Sequence, residues 1–122
     1  MVSNSTFAKS LALSFDDGLD HVTHPQAQHI NDAILNTLKQ NNVHAIIYPS
    51  LSKIGANDGL GMIKQWGEQG HRIGNHGNLH LNLNKDEVNL STYLADMQQG
   101  HQAFSTLQGF VPRYRFPFLK EG

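Results

Sequence analysis

The chain has 122 residues, 39% of them hydrophobic, a length that allows one domain over residues 1–122 but not two. Nine Lys and Arg residues against ten Asp and Glu residues leave a formal net charge of -1, so we expect no nucleic-acid partner and no anionic membrane surface. The absence of cysteine excludes disulfides, thiolate zinc sites and a cysteine nucleophile. The eight histidines instead raise the question of metal binding.

No targeting segment is predicted from the sequence. The stretch from Met1 to Phe7 has no basic region followed by an apolar run. No part of the chain approaches the roughly 18 consecutive apolar residues that a membrane-spanning helix needs. We therefore expect neither an export signal nor a membrane partner in this chain, and we assign no compartment.

The first predicted unit is a strand followed by a helix. An alternation of apolar and small residues predicts the strand, which stops at the turn signal Asp16-Asp17-Gly18 and carries Leu11, Leu13 and Phe15. With Thr23 as N-cap and Pro25 in the first turn, a helix is predicted from apolar residues three or four positions apart, namely Ala27, Ile30, Ile34 and Leu38.

A second unit of the same kind follows. The β-branched run from Val43 to Tyr48 ends at Pro49 and predicts a buried strand. Asp58 is predicted to cap a helix that ends at Gly70 and carries Met62, Ile63 and Trp66.

The last part of the chain predicts a strand, a long helix and a final strand. Arg72 to Gly74 is assigned to a strand by its context. Asn84 followed by Glu87 resembles a capping box, and the helix after it ends near Gly109 with an apolar stripe of Leu90, Leu94, Met97, His101, Phe104 and Leu107. The fourth strand is predicted over Arg113 to Phe116.

The predicted order βαβαβαβ indicates an α/β fold with a parallel sheet or barrel and with helices outside. In such folds the chemistry lies at the C-terminal ends of the strands. Three polar clusters each follow a different predicted strand: Asp16-Asp17, His76-Gly77-Asn78-Leu79-His80 and Arg115-Phe116-Pro117-Phe118. We therefore expect these clusters to converge on one face.

Two of the clusters together suggest a metal site. The i, i+4 spacing of His76 and His80 would put both imidazoles on one side of a helical turn, where two neutral nitrogens reach one ion. Adding Asp17 gives three protein ligands with positions left for water or substrate, as in catalytic zinc sites. Each cluster alone also fits a structural interpretation: a solvated Asp turn, a chance histidine spacing, or a surface arginine at Arg115.

The other histidines receive structural interpretations. His101 is expected to be packed or half-buried on the helical stripe. His21 and His24 follow the Asp pair and are candidates for a substrate loop or for substitute ligands. The remaining three, His29, His44 and His71, are assigned to structure or solvent.

The three clusters resemble, in order, the motifs of the polysaccharide deacetylase family, the NodB homology domain of carbohydrate esterases. Ser14-Phe15-Asp16-Asp17-Gly18 is similar to the family's Thr-Phe-Asp-Asp-Gly motif. The stretch from Gly74 to His80 is similar to His-Ser/Thr-x-x-His, with Gly77 at the Ser/Thr position, and Arg115-Phe116-Pro117-Phe118 is similar to Arg-x-Pro-Tyr. The resemblance covers nearly the whole chain and implies the N-terminal part of a distorted (β/α) barrel.

The resemblance also implies an activity. Such a protein is a metal-dependent hydrolase that removes acetyl groups from N- or O-acetylated polysaccharides or oligosaccharides of the chitin, peptidoglycan or xylan type. Asp16 would be the general base that takes a proton from an activated water, and Arg115 would orient Asp16. Zinc is the expected metal, with cobalt, nickel or iron also accepted, and its ligands would be Asp17, His76 and His80. The backbone N–H of Phe118, after Pro117, would contact the oxyanion.

Family members continue with an Asp-Trp motif and a late Leu-x-x-His motif, whose histidine acts as general acid, and neither occurs before Gly122. We therefore expect an incomplete barrel, either as a fragment of a longer protein or as a half-barrel that self-associates to cover its open edge. Two alternatives stay open. One is a small-molecule amidase or cyclic-imide hydrolase of the same fold, and the other is a catalytically inactive module that binds metal or glycan.

Overall fold

The computed structural model describes residues 9–122, so the segment from Met1 to Phe7, in which no export signal is predicted, lies outside the described residues. The strands are β1 (Leu13–Asp17), β2 (Ala45–Pro49), β3 (Arg72–Asn75) and β4 (Phe110–Tyr114). The helices are α1 (Ala27–Gln40), α2 (Asn57–Glu68) and α3 (Leu90–Phe104), and a short 3-10 helix, Pro117–Leu119, follows β4. Within residues 9–122, no helix has the length and apolar character needed to cross a membrane.

The four strands form one parallel sheet in the order β1-β2-β3-β4. The parallel arrangement follows from the connections, because each strand is joined to the next by a crossover that contains a helix. The predicted α/β fold with βαβαβαβ order is confirmed. β1 and β4 are the edge strands of this open sheet, and self-association through an edge stays a prediction.

A hydrophobic core joins the sheet to its helices. The rings of Phe15 and Trp66 meet edge to face with centroids 5.1 Å apart. Trp66 is 1% exposed and donates its Nε1–H to Oδ1 of Asn31 at 2.7 Å, which links α2 to α1. Because side chains alternate along a strand, Ser14 and Asp16 lie on the other face of β1 from Phe15. The buried residues of this core cluster are Leu35, Leu38, Ala45, Ile47, Ile54, Ile63, Trp66, Ile73 and Phe104.

The predicted bounds of the first and last strands were wrong. Leu11 is 84% exposed and precedes β1, which instead continues through Asp16 and Asp17. The pairing of these two residues with Tyr48 and Pro49 of β2 extends the strand through both carboxylates. β4 ends at Tyr114 and therefore does not include Arg115 and Phe116.

The predicted starts of the first two helices were also wrong. α1 begins after Gln26, which makes no side-chain cap, so Thr23 is not its N-cap. α2 begins after Ala56, and Asp58 lies inside its first turn. In the first turn the negative charge of Asp58 lies near the positive end of the helix dipole. Its side chain is not the cap of the helix.

The start and the buried face of α3 differ from the prediction. Asn89 is the N-cap, because its Oδ1 accepts a hydrogen bond from the N–H of Thr92 at 2.8 Å, and Asn84 precedes the helix by several residues. Of the predicted stripe, α3 buries Phe104, whereas Leu90 and Leu94 are 63% and 50% exposed and His101 is exposed. The other residues that α3 buries are Tyr93, Asp96 and Gly100, which were not predicted.

A glycine explains which face of α3 meets the sheet. A Cβ placed on Gly100 would collide with Oδ1 of Asn75 and would lie 3.0 Å from the backbone of Gly77. Only a residue without a side chain allows this close approach of α3 to β3. The close approach brings Asp96, one turn earlier on the same face, beside the loop that follows β3.

Candidate metal centre and active site

The carboxyl ends of the strands meet at one edge of the sheet, as parallel strands require. Hydrogen bonds of 3.0 to 3.1 Å continue the pairing beyond the strands, from the N–H of Ser50 to the carbonyl of Asp17, from His76 to Pro49 and from Arg115 to Asn75. The three polar clusters found in the sequence are therefore brought together along this edge.

Asp17, His76 and His80 form a compact set of potential metal ligands. Oδ1 of Asp17 lies 3.4 Å from Nε2 of His76 and 3.1 Å from Nε2 of His80. One ligand atom from each of the three residues lies within 4.8 Å of the others. Among the described residues this is the set of acidic and histidine side chains close enough to share an ion, and His21 and His24 lie outside it.

The main chain of Arg115 fixes the tautomer of His76. Nδ1 of His76 lies 2.7 Å from the carbonyl oxygen of Arg115. Because a carbonyl oxygen only accepts, Nδ1 must carry a proton, which leaves Nε2, on the side of Asp17, as the nitrogen that can bind a cation. Two imidazole nitrogens and a carboxylate oxygen that face one another are a donor set that fits zinc or a similar divalent cation.

The environment of His80 favours a neutral imidazole ring. Burial lowers the pKa of His80, and this effect exceeds the opposite effect of the nearby Asp17 carboxylate. A neutral imidazole is the form that binds a metal. The His80 ring lies edge to face with His76 and with Phe118, at centroid distances of 4.8 and 4.7 Å.

The segment between the two histidines is a loop and not the predicted helical turn. Gly77 has a φ of 85° and His80 a φ of 56°, both in the left-handed region that a right-handed helical turn excludes. The carbonyl groups of Gly77 and Asn78 accept hydrogen bonds from the N–H groups of Leu51 and Ser52 at 3.0 and 2.8 Å. The two imidazoles therefore converge through the shape of this loop and not through helical periodicity.

The N–H groups of the same loop are held by a residue that was not predicted from the sequence. Asp96 is 4% exposed, and its Oδ2 accepts from the N–H of Asn78 at 3.0 Å. Its Oδ1 accepts from the N–H of Leu79 at 2.8 Å. The available signal was weak: Asp96 is the one acidic residue within α3, at a position where an apolar residue would continue the helix face.

Asp16 and Arg115 form an ion pair on the sheet face opposite the core. NH1 of Arg115 lies 2.8 Å from Oδ1 of Asp16 and 2.9 Å from Oγ of Ser14. Its guanidinium carbon lies 4.2 Å from the centroid of the Tyr48 ring. Ser14 and Tyr48 were not predicted as site residues, although Ser14 precedes Asp16 by two positions and so shares its face. The Asp16 side chain is 43% exposed, which leaves it accessible from solvent.

The third cluster continues into the short 3-10 helix after β4. Pro117 is buried, whereas Phe118 is 59% exposed and has a φ of 59°. The contact between the Phe118 and His80 rings places this turn next to the potential ligands.

Two cavities differ in their relation to the site. A groove of about 160 Å³ adjoins Asp16 and is lined mainly by apolar residues, among them Phe15, Leu19 and Met62. A larger cavity of about 530 Å³ includes His44 and His71 in its lining and lies at the amino ends of β2 and β3. The charged residues converge at the carboxyl ends of the strands, so we place the site there despite the greater volume at the other end.

Comparison with known proteins shows the family of this chain. The family model described as polysaccharide deacetylase matches residues 3–120. The chain belongs to the polysaccharide deacetylase family. It is 34% identical over 107 residues to a peptidoglycan-N-acetylglucosamine deacetylase of Bacillus cereus, covering 88% of this chain and 35% of that protein. It is 30% identical over 113 residues to a chitin deacetylase of Colletotrichum lindemuthianum, covering 89% of this chain and 42% of that protein.

The deacetylase fold is also found among solved structures. A crystal structure of a peptidoglycan N-acetylglucosamine deacetylase in complex with an N-oxidanyl-benzamide is similar to this chain with a TM-score of 0.72 and 30% sequence identity. The match covers 89% of this chain and 46% of that structure. This member of the polysaccharide deacetylase family thus spans less than half the length of each of these relatives.

Proposed function

We propose that the site is that of a metal-dependent deacetylase acting on N- or O-acetylated polysaccharides or oligosaccharides. Asp17, His76 and His80 would hold a divalent cation, for which we propose zinc, and cobalt, nickel or iron suit the same ligands. The observation that carries the proposal is the convergence of the two histidine Nε2 atoms on Oδ1 of Asp17. The relatives named as peptidoglycan and chitin deacetylases support an acetylated carbohydrate as the substrate class.

A divalent cation held by Asp17, His76 and His80 would supply Lewis acidity at the acetyl carbonyl and would favour deprotonation of water. Asp16 acts as the general base. Its carboxylate accepts a proton from the attacking water, and the new C–O bond forms as the carbonyl π electrons move to oxygen. The carbonyl then re-forms as the C–N or C–O bond to the sugar breaks, the sugar nitrogen or oxygen takes up the proton that Asp16 accepted, and acetate is released.

Arg115 and the third cluster complete the proposed mechanism. The 2.8 Å contact between Arg115 and Asp16 holds the base in one orientation, and Ser14 accepts a second hydrogen bond from the same NH1 atom. The N–H of Phe118, which follows the buried Pro117, is proposed as a donor to the developing oxyanion. The closeness of Phe118 to His80 supports this assignment.

The ligand set can be tested without choosing a substrate. Zinc is titrated by calorimetry into the metal-stripped chain and into a His76→Ala variant. We expect one-to-one binding by the unaltered chain and a large loss in the variant. An equal affinity in the two proteins would remove the proposed site.

Activity needs a second measurement. The zinc-loaded chain is incubated with acetylated chitooligosaccharides and with acetylated xylooligosaccharides, and the released acetate is quantified. Release that depends on Asp16 would support the deacetylase. Zinc binding without acetate release from any acetylated glycan would favour a metal-binding or glycan-binding module instead.

A further inference from the structure

Asp96 contacts the histidine loop with both of its oxygens. They accept from two successive N–H groups, those of Asn78 and Leu79, at 3.0 and 2.8 Å. These two residues lie between His76 and His80 in the chain. Hydrogen bonds to an ionised acceptor are stronger than neutral ones, and a buried carboxylate gains most from having both oxygens occupied.

The loop has room for this carboxylate because Gly77 lacks a side chain. A Cβ at Gly77 would lie 2.6 Å from Oδ2 of Asp96, which is closer than real Cβ contacts. The φ of 85° at Gly77 adds a second reason against any larger residue there. At the position where the family motif has Ser or Thr, this chain therefore has a glycine, and the carboxylate of Asp96 from α3 lies beside it.

The helix that carries Asp96 is itself fixed to β3. The Nδ2 of Asn75 donates to the carbonyl of Met97 at 2.9 Å, and its Oδ1 accepts from the N–H of Gly77 at 2.8 Å. Gly100, on the same face of α3 as Asp96, also approaches Asn75 and the backbone of Gly77 closely. Asp96 is thus attached to a rigid support and not to a mobile surface.

The N–H side and the carbonyl side of the loop are held by different elements. Asp96 accepts hydrogen bonds from the N–H groups of Asn78 and Leu79. The N–H groups of the segment after β2 donate to the carbonyl groups of Gly77 and Asn78. We infer that Asp96 is a positioning residue whose carboxylate sets the loop conformation in which His76 and His80 face Asp17. This inference rests on the proposed metal site, and it assigns to Asp96 a share of the metal affinity although Asp96 is not itself one of the proposed ligands.

The test compares Asp96→Asn with Asn31→Ala as the matched control. Asn presents an amide NH2 in place of one oxygen, so it cannot accept from both loop N–H groups. Asn31→Ala also removes a buried hydrogen bond, the one to Trp66, but outside the ligand set. It therefore reports what a general loss of stability does to metal binding.

Three quantities are measured on the full chain: zinc affinity by calorimetry, the visible spectrum of the cobalt-loaded protein, and hydrogen exchange of the amides of Asn78 and Leu79. We expect Asp96→Asn to weaken zinc binding by about 10-fold to 100-fold. We also expect an altered cobalt spectrum and faster exchange at both amides. Asn31→Ala should retain the zinc affinity and the cobalt spectrum of the unaltered chain.

A second variant covers the case in which Asp96→Asn does not fold. Asp96→Glu keeps the charge and moves the carboxylate by one methylene, so zinc affinity should still fall. Zinc affinity and a cobalt spectrum like those of the unaltered chain, in whichever of the two variants folds, would overturn the inference and leave the proposed function standing. A complete absence of zinc binding by the unaltered chain would instead overturn the proposed function, and with it the role of Asp96.

Discussion

Arg115 contacts His76 through its main chain and Asp16 through its side chain. Its carbonyl oxygen lies 2.7 Å from Nδ1 of His76, and its NH1 lies 2.8 Å from Oδ1 of Asp16. One residue therefore supports both a proposed metal ligand and the proposed base. The main-chain contact survives substitution of the side chain, so the two contributions can be separated by mutation.

The first prediction separates the base from the metal site. Asp16→Asn should lower kcat for acetate release by about 10²-fold to 10⁴-fold, the usual contribution of a general base, with zinc affinity unchanged. Calorimetry and acetate assays on the same preparation measure both quantities. A fall in zinc affinity as large as that of His76→Ala would show that Asp16 belongs among the ligands.

The second prediction concerns the Arg115 side chain. Arg115→Leu should lower kcat on the order of 100-fold, because an oriented base loses its partner, while zinc binding stays intact through the main-chain carbonyl. Arg115→Lys is the matched control. It restores the charge but not the planar guanidinium group, whose NH1 donates to Ser14 and Asp16 while its carbon lies over the Tyr48 ring, so we expect only partial recovery. Full activity in Arg115→Leu would contradict the orienting role.

The third prediction tests the aromatic support under Arg115. The guanidinium lies 4.2 Å from the Tyr48 ring centroid, a contact worth about 0.5 to 2 kcal/mol. Tyr48→Leu should therefore reduce kcat without a change in zinc affinity, whereas Tyr48→Phe, which keeps the aromatic face, should stay close to the unaltered chain. Equal activity of the Leu and Phe variants would show that the ring contact does not help to orient Arg115.

The order of elements and the polar clusters could be predicted from the sequence because both depend on local patterns. The extent of β1 could not, since Asp16 and Asp17 become strand residues through pairing with Tyr48 and Pro49, far along the chain. The conformation of the loop between His76 and His80 could not be predicted from the sequence either. Its shape depends on a glycine at position 77 and on hydrogen bonds from distant residues, whereas the i, i+4 spacing alone indicates a helical turn.

The buried face of α3 shows the same limit. Leu90 and Leu94 form an apolar stripe in the sequence but are largely exposed, whereas Asp96 and Gly100 are buried. A prediction from helical periodicity identifies the buried face by the spacing of apolar residues. It gives no weight to a glycine that permits close packing or to a carboxylate that accepts two backbone N–H groups, and these two features orient the helix here.

The fourth prediction concerns stability away from the site. Asn31 accepts the Nε1–H of Trp66 at 2.7 Å, and its Nδ2 donates to Oε1 of Gln65 at 2.9 Å. Asn31→Ala leaves the buried indole N–H without this acceptor and should cost about 1 to 3 kcal/mol in the free energy of unfolding. Urea unfolding of the two chains measures this loss of stability. Introducing Trp66→Phe into the Asn31→Ala chain should cost less than Trp66→Phe alone, because the unsatisfied donor is then absent.

The last prediction concerns the pH dependence of stability and starts from His71. This side chain is 3% exposed, and its Nδ1 accepts a hydrogen bond from the N–H of Ala45 at 3.1 Å. Burial lowers the pKa of His71 from its ordinary value of 6.5, and the neighbouring His44 lowers it further. The folded chain therefore holds His71 in the neutral form at pH values at which the unfolded chain protonates it.

The sign of the effect follows from proton linkage. Between the folded pKa and 6.5 the unfolded state binds more protons, so the free energy of unfolding rises with pH. We expect the contribution of His71 to be complete above pH 6.5 and to be lost as the pH falls through the folded pKa.

Urea unfolding of the metal-stripped chain at a series of pH values measures this slope, and His71→Gln, which keeps an acceptor but cannot titrate, should flatten it. The pKa of His80 is lowered as well, but its contribution is common to both chains, so the difference between them isolates His71. Identical slopes in the two chains would mean that His71 titrates alike in the folded and unfolded states.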